Sequence, residues 1–365
     1  MKRLFNKITF TSKTDSAVIV LDFVNEIQIE SSFENKTDTA KITIPKTITN
    51  NGKPISTGSD SIFKRGDKVK IECGYYPNLT TIFEGYITTV NTKSPIIIEC
   101  EDEMFLLKNS KVIYPKKRTV VNSVTSKKGK VKMLKKPRVY SSAINLSDLL
   151  NEFHAVMWEE HEYELDYQIF SDPDLKTTTN DVNLGSFRAT NVSVVECLDV
   201  LKKEYGIYSY FRNGVLKVGF PSDASDTKTI PLVFEENIID DTNIEFQRKE
   251  DLRLRIKAIS MNSNNTKLEE EVGDADGTLK TFHYYNATQS DLIAFANLKL
   301  KTFQYTGFVG DITTFGEPFI RHGDAVKLKS YKYPDKDGTY QVKGVKRGFG
   351  MNGYRQVLEL GVKLA

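Results

Sequence analysis

Through its first third the chain alternates apolar and polar positions in short runs: Ala17 to Phe23, Glu26 to Ser31, Ala40 to Pro45, Lys68 to Cys73, Thr81 to Val90 and Pro95 to Cys100. A period of two, with Gly, Pro and Asn between the runs, is the pattern of antiparallel strands. So many short strands must close on themselves or pack as a sandwich, which predicts a β domain over residues 1–110.

The period then changes. Asn145 or Ser147 can cap a helix that sets Leu149, Leu150, Phe153 and Met157 on one face. Ser193 and Glu196 form a Ser-x-x-Glu capping box ahead of a stripe of Val194, Leu198, Leu201 and Tyr205, and Gly206 stops that helix. Ile207 to Phe220 follows with Asn213-Gly214 between two β-type runs, the residues a type I′ hairpin turn demands. Residues 111–235 therefore read as an α+β middle domain. Strand patterns return from Leu252 to Met261, Ala325 to Ser330, Thr339 to Arg347 and Arg355 to Leu364. One helix near Ser290 to Phe303 carries Leu292, Phe295, Ala296 and Leu300, so 236–365 reads as a second β-rich domain.

The two β-rich ends share a motif. Phe63-Lys-Arg-Gly-Asp-Lys-Val-Lys-Ile71 and Ile320-Arg-His-Gly-Asp-Ala-Val-Lys-Leu328 both read apolar, basic, polar, Gly, Asp, any residue, Val, Lys, apolar. Gly66 and Gly323 can take positive φ, and Asp67 and Asp324 can bond the backbone of a turn that delivers the chain into a strand. Phe83 follows Gly66 at the interval at which Tyr340 follows Gly323. A Gly-Asp turn before a Val-Lys strand is common, so coincidence competes with duplication. The shared interval and the late position of each copy within its third favour duplication. Three chains with two similar barrels each can close a ring of approximate six-fold symmetry.

Composition narrows the function. Lys and Arg total 51 against 48 Asp and Glu, a formal charge of +3, which argues against a dedicated nucleic-acid binder. Basic charge is local: residues 108–138 hold twelve Lys or Arg and no acid, marking a boundary and an extended or mobile segment. Cys73, Cys100 and Cys197 have no ligand or disulfide spacing and read as buried small hydrophobes. The N-terminus has no apolar run fit for a signal peptide, and no stretch approaches a membrane span, so no membrane anchor is expected and the chain reads as made in the cytosol.

Several stretches resemble the baseplate or tail-tip hub proteins of phages and related injection machines, including late control proteins and the N-terminal part of type VI secretion spikes. They are Phe63 to Tyr75 with Phe83-Glu-Gly-Tyr-Ile87, Ile98 to Asp102, the Ser193 helix with its hairpin, and above all Gly310 to Leu364. The resemblance implies two related tube-like β-barrels around an α+β insertion, and a homotrimer that adapts a hexameric tail tube to a trimeric spike. It also implies a place in the virion tail among other baseplate proteins, assembly in the host bacterial cytoplasm, and DNA passing through without specific binding. The chain ends at Ala365 with neither a spike helix nor a lysozyme fused, so a separate spike protein is expected. The basic segment has no counterpart in that pattern.

Candidate chemistry is sparse, and neither a catalytic residue nor a metal ion or cofactor is expected. His154 and His161 lie among Glu159, Glu160 and Glu162, but solvated surface is the better account of them. Asp274-Ala-Asp276-Gly277 begins like a calcium loop yet lacks the later ligands, so a polar hairpin turn is expected. Paired carboxylates for glycan cleavage stay open, because the fold sets their spacing. The rival reading is therefore a carbohydrate-binding or cell-wall-hydrolysing β-barrel protein at the tail tip. The basic run reads first as a solvated loop, then as a strip for an acidic partner, and last as a DNA contact. Replacing Lys127, Lys128, Lys130 and Lys132 with Ser is expected to leave tail assembly and infectivity unchanged; a loss of either would point to one of the two interaction readings.

Overall fold

The computed structural model describes residues 3–50, 53–57, 62–91, 93–114, 119–125, 131–137, 144–169, 184–185, 187–219, 228–262, 266–285 and 287–364. Side chains from 115 to 143 lie outside the described residues, and with them most of the basic segment's charges; so does Phe220. Within that segment the backbone of Thr119–Thr125 pairs antiparallel with Val131–Pro137, so part of the expected extended stretch is a β-ribbon.

The alternating pattern of the first third becomes one sheet face. In Glu26–Ser32, Ile27 and Ile29 point inward while Glu26, Gln28 and Glu30 point out; Ala40, Ile42 and Ile44 do the same in Thr39–Ile44, and Ile96, Ile98 and Cys100 in Ile96–Glu101. Register lines these residues into rows. Ile27 opposes Ile42, Ile42 opposes Ile98, and Ile98 opposes Val90 of Asn78–Asn91. Burying each such isoleucine contributes about 1.5–3 kcal/mol, so a one-residue slip would forfeit a whole row.

Five strands of the first region run in the order Lys68–Tyr75, Asn78–Asn91, Ile96–Glu101, Thr39–Ile44, Glu26–Ser32. Five in the last region repeat that order: Ala325–Lys329, Gly338–Gly350, Gly353–Lys363, Gly307–Phe315, and a broken strand made of Ile238–Asp240 and Ile244–Gln247. In both, every neighbouring pair is antiparallel, and the last two strands in spatial order precede the first three in sequence. The copies differ at the next strand out. Leu4–Thr11 lies antiparallel to Lys68–Tyr75, whereas Thr229–Val233 lies parallel to Ala325–Lys329.

The protein is mainly β with an α+β middle. Among the described residues, however, the strand pairings close neither unit into a separate barrel. Both belong to one fourteen-stranded sheet joined through Gly338–Gly350. That strand has Gly353–Lys363 along one edge; its start pairs with Ala325–Lys329 and its end, Gly344 to Gly350, with Glu26–Ser32 of the other unit.

Two further cores sit beside the sheet. The middle core packs α1 (Met104–Asn109), α2 (Leu146–His161) and α3 (Val194–Tyr205) with the hairpin Tyr208–Arg212 and Val215–Gly219 around Phe153, Leu198 and Leu216. Asn145 precedes α2, the Ser193–Glu196 capping box closes the start of α3, and Gly206 ends it at φ 67°. Asn213 and Gly214 both have positive φ, as a type I′ turn requires. α1 escaped the periodicity because it is barely more than one turn long. The last core lies between Gln247 and Gly307, where Leu254–Met261 is flanked by Lys267–Gly273 and Thr278–Tyr285 and covered by α4 (Gln289–Phe303). Asp274 and Asp276 turn between those flanking strands, but the strands lie on opposite edges of Leu254–Met261, so the turn is not a hairpin.

Ile42 and Ile312 are fully buried at equivalent places in the two units. Ile42→Ala and Ile312→Ala are each expected to cost about 2–5 kcal/mol and to shift one common unfolding transition, read by urea denaturation. Separate transitions for the two β units would contradict a continuous sheet.

Candidate functional site

Gly66-Asp67 and Gly323-Asp324 form the same turn, bond for bond. Asp67 Oδ2 accepts the Lys64 N–H at 2.8 Å, and Asp324 Oδ2 accepts the Arg321 N–H at 2.8 Å. The Gly66 N–H donates to the Ile87 carbonyl, and the Ile87 N–H returns a bond to the Asp67 carbonyl; Gly323, Val342 and Asp324 repeat the exchange. Both glycines are left-handed, at φ 89° and 80°, a region in which a side chain is strained. One residue later the return strands carry the same bulge. Thr88 is the extra residue between Ile87 opposite Cys100 and Thr89 opposite Glu99, and Lys343 is the extra residue between Val342 opposite Leu360 and Gly344 opposite Glu359.

The pairing corrects one sequence expectation. Val69 opposes Gly85 and Val326 opposes Tyr340, so Tyr340 matches Gly85, and Phe83 matches Gly338. The shared aromatic interval arises because the hairpin of the second copy is shorter. The two copies exchange the order of an aromatic and a glycine, with the Phe83 ring lying over Gly85 and the Tyr340 ring over Gly338.

The copies part at the other carboxylate oxygen. Asp67 Oδ1 accepts the Lys13 N–H at 3.0 Å, within its own unit. Asp324 Oδ1 faces Arg212 Nη1 at 3.7 Å, from the middle domain's hairpin. That contact opens onto a cleft of about 620 Å³ where the three regions meet, lined among others by Asp38, Asp102, Arg212, Arg321, His322 and Arg347.

Its groups are largely engaged with one another. Arg212 also donates to the His322 carbonyl, and Arg321 Nη1 donates to Asn213 Oδ1 at 2.9 Å. The Tyr210 ring meets the buried His322 ring edge-on at 4.7 Å, and His322 Nε2 lies 3.6 Å from Asp38 Oδ2. Arg347 donates to the Ile320 carbonyl and lies over the Phe319 ring at 4.5 Å. Burial pulls its guanidinium down to about 10. Asp102 holds the start of α1, with Oδ1 accepting the Met104 N–H at 3.1 Å and Oδ2 the Asp38 N–H at 3.3 Å. Burial, with the neighbouring Asp38 and Glu103 charges, pushes the Asp102 carboxyl well above the usual carboxylate range. The arrangement is a polar clamp between domains: the Asp102 oxygens are bound to backbone, and His322 Nδ1 has no hydrogen-bond partner among the described residues.

Other suspected positions have structural roles. His154 Nδ1 bonds the Leu165 carbonyl at 3.0 Å and His161 Nε2 bonds Ser110 Oγ at 2.9 Å, so both are partly buried and tied down rather than solvated. Arg253 clamps Asp274 and Asp276, its Nε 2.6 Å from Asp274 Oδ2. Cys73, Cys100 and Cys197 are buried thiols. Among the described residues no cluster of His, Cys, Asp and Glu could hold a metal, and no described helix is long and apolar enough to cross a membrane. The Arg212–Asp324 and His322–Asp38 contacts were invisible in sequence, because each joins regions far apart in the chain.

Asp102 gives the clamp a testable pH dependence. Its folded carboxyl keeps its proton to higher pH than the unfolded one, so between those limits the folded state binds more protons. Its contribution is therefore present at low pH and lost as pH rises through the folded titration. Relative to Asp102→Asn, the parent chain is expected to lose stability as pH rises above the ordinary carboxylate range, about pH 4, read as urea midpoints; parallel profiles would refute this.

No protein-family model and no curated protein matches this chain. Solved structures do. A tail protein from Neisseria meningitidis MC58 aligns over 98% of this chain and 96% of its own, at 13% identity and a TM-score of 0.62. The 43 kDa tail protein of prophage MuSo2 from Shewanella oneidensis aligns over 98% of both chains at 12% identity and a TM-score of 0.56. A prophage tail protein from Listeria monocytogenes EGD-e aligns over 97% of this chain and 94% of its own, at 10% identity and a TM-score of 0.54. Matches that run nearly end to end in both chains mean that the whole architecture is shared, and this chain has the fold of these phage tail proteins.

Proposed function

We propose that the chain is a structural hub of the tail of a phage or phage-like injection machine. In this reading it forms a homotrimeric ring that presents six similar β units to a hexameric tail tube on one side. On the other side it presents three-fold symmetry to a separate trimeric spike protein. The observation that carries the reading is the five-strand order used twice in one sheet, with identical Gly-Asp turns and bulges. Two quasi-equivalent units per chain convert three-fold into approximate six-fold symmetry. The end-to-end likeness of fold to three tail proteins supports the same assignment.

The mechanism is geometric and non-enzymatic. At the domain junction Asp102 is bound to two backbone N–H groups and Asp324 lies against Arg212, an arrangement that supports a fastening role for these carboxylates. The clamp fixes the middle domain against both β units, so displacement of a spike below can be passed to the ring as a rigid movement. The remaining partners in this reading are the tail tube protein and other baseplate proteins. DNA passes through without being specifically bound, and the site of action is the virion tail after assembly in the bacterial cytoplasm.

Sedimentation of the purified chain is expected to give the mass of three copies, and with its tail tube and spike proteins present the mass of three copies plus the bound partners. A stable monomer that degrades peptidoglycan would overturn the assignment in favour of a cell-wall hydrolase.

A further inference from the structure

The seam between the two β units inside one chain is not self-complementary. It joins the far end of the second unit's return strand, Gly344 to Gly350, to the first unit's outermost strand, Glu26–Ser32. Such head-to-tail contact between similar units leaves one unused surface of each kind. Among the described residues, the unpaired return-strand edge is in the first unit, past the bulge at Thr88. The unused outermost strand is in the second unit, Ile244–Gln247, which among the described residues pairs on one side only, with Gly307–Phe315.

We infer that these two edges join neighbouring copies of the chain, with Thr89 to Asn91 of one copy pairing antiparallel with Glu245 to Gln247 of the next. Register follows from the internal equivalences. The shared bulge equates Thr89 with Gly344, and therefore Val90 with Val345 and Asn91 with Lys346. The pairing of Ile29 with Ala40 and of Ile244 with Gly310, on matching strands, equates Ile29 with Ile244 and Glu30 with Glu245. Within the chain Lys346 opposes Glu30, their charged ends 3.8 Å apart. Between chains Asn91 opposes Glu245, and its amide can donate to that carboxylate.

The edges suit this role physically. Thr89, Asn91 and Glu245 are exposed, while Val90 and Phe246 are half-buried, so alternate side chains already face inward on both strands. Open backbone on both edges can complete a ladder when brought together. The intermolecular seam is shorter than the internal one because Asn78–Asn91 ends where Gly338–Gly350 continues. It is the joint at which the assembly comes apart first.

This inference rests on the ring reading above and specifies its interface. Oxidation of Asn91→Cys mixed with Glu245→Cys is expected to give a covalent dimer, either variant alone none, and the double variant a ladder that stops at a closed ring. The native thiols are buried and do not compete. Glu30→Cys with Lys346→Cys serves as the control and forms its bond within one chain. Independently, Asn91→Glu sets like charges opposite each other and is expected to raise the concentration for half-assembly roughly fivefold per seam. Adding Glu245→Lys restores it. If the chain sediments as a ring but neither the mixed cross-link nor the charge rescue occurs, this interface is wrong and the ring reading stands. A monomer under every condition, including with tube and spike proteins present, overturns both.

Discussion

Everything in this protein hangs on one long strand having two partners on the same edge. Gly338–Gly350 begins against its own unit and, past the bulge at Lys343, continues against the other, so one backbone segment belongs to both halves of the duplicated architecture. The change of partner keeps the side-chain rows in line. Phe349 opposes Ile27, which extends the row of Ile27, Ile42, Ile98 and Val90 from one unit into the other. Gly344 stands at the crossing, where Ser31 and Ser32 approach closely and a β-carbon would press on them.

The clamp at the domain junction depends on that continuity. Arg347 comes from the shared strand, His322 and Asp324 from the turn that feeds the second unit, Asp38 and Asp102 from the first, and Arg212 from the middle hairpin. None of these groups is placed by local structure alone. The same turn in the first unit satisfies its aspartate with the Lys13 N–H from the turn after a neighbouring strand, while in the second it recruits an arginine from another domain. One inherited turn thus serves as plain structure in one place and as a fastening point in the other.

Much of the fold was legible in the chain. Alternation predicted the strands, the Ser193–Glu196 box and Gly206 predicted both ends of α3, and Asn213-Gly214 predicted the hairpin turn. What was not legible falls into three kinds. α1 is too short for a period to register; α4 stands where its apolar stripe places it, and only its Thr288–Asp291 capping box went unread. Sheet continuity depends on which edges meet, and the pattern of inward and outward residues is the same for a closed barrel and a shared sheet. Last, the correct alignment of the two copies was masked by a real coincidence, since Phe83 and Tyr340 sit at equal intervals in unequal hairpins. The aspartate turn and the bulge, both set by backbone bonding, preserve the relationship better than the large side chains do.

The segment between Gln247 and Gly307 has a further meaning. These two residues are register partners in the second unit, so the three-stranded sheet and α4 between them leave and re-enter the main sheet at a single rung. Topologically the whole subdomain is the loop of a β-hairpin with its own core. Loop-closure entropy rises only slowly with length, so such a loop can grow, shrink or be exchanged while the strands that carry it keep their register. The second unit therefore carries a folded subdomain where the first unit has only the short connection between Glu26–Ser32 and Thr39–Ile44, and it would recur at every second position around any ring these units form.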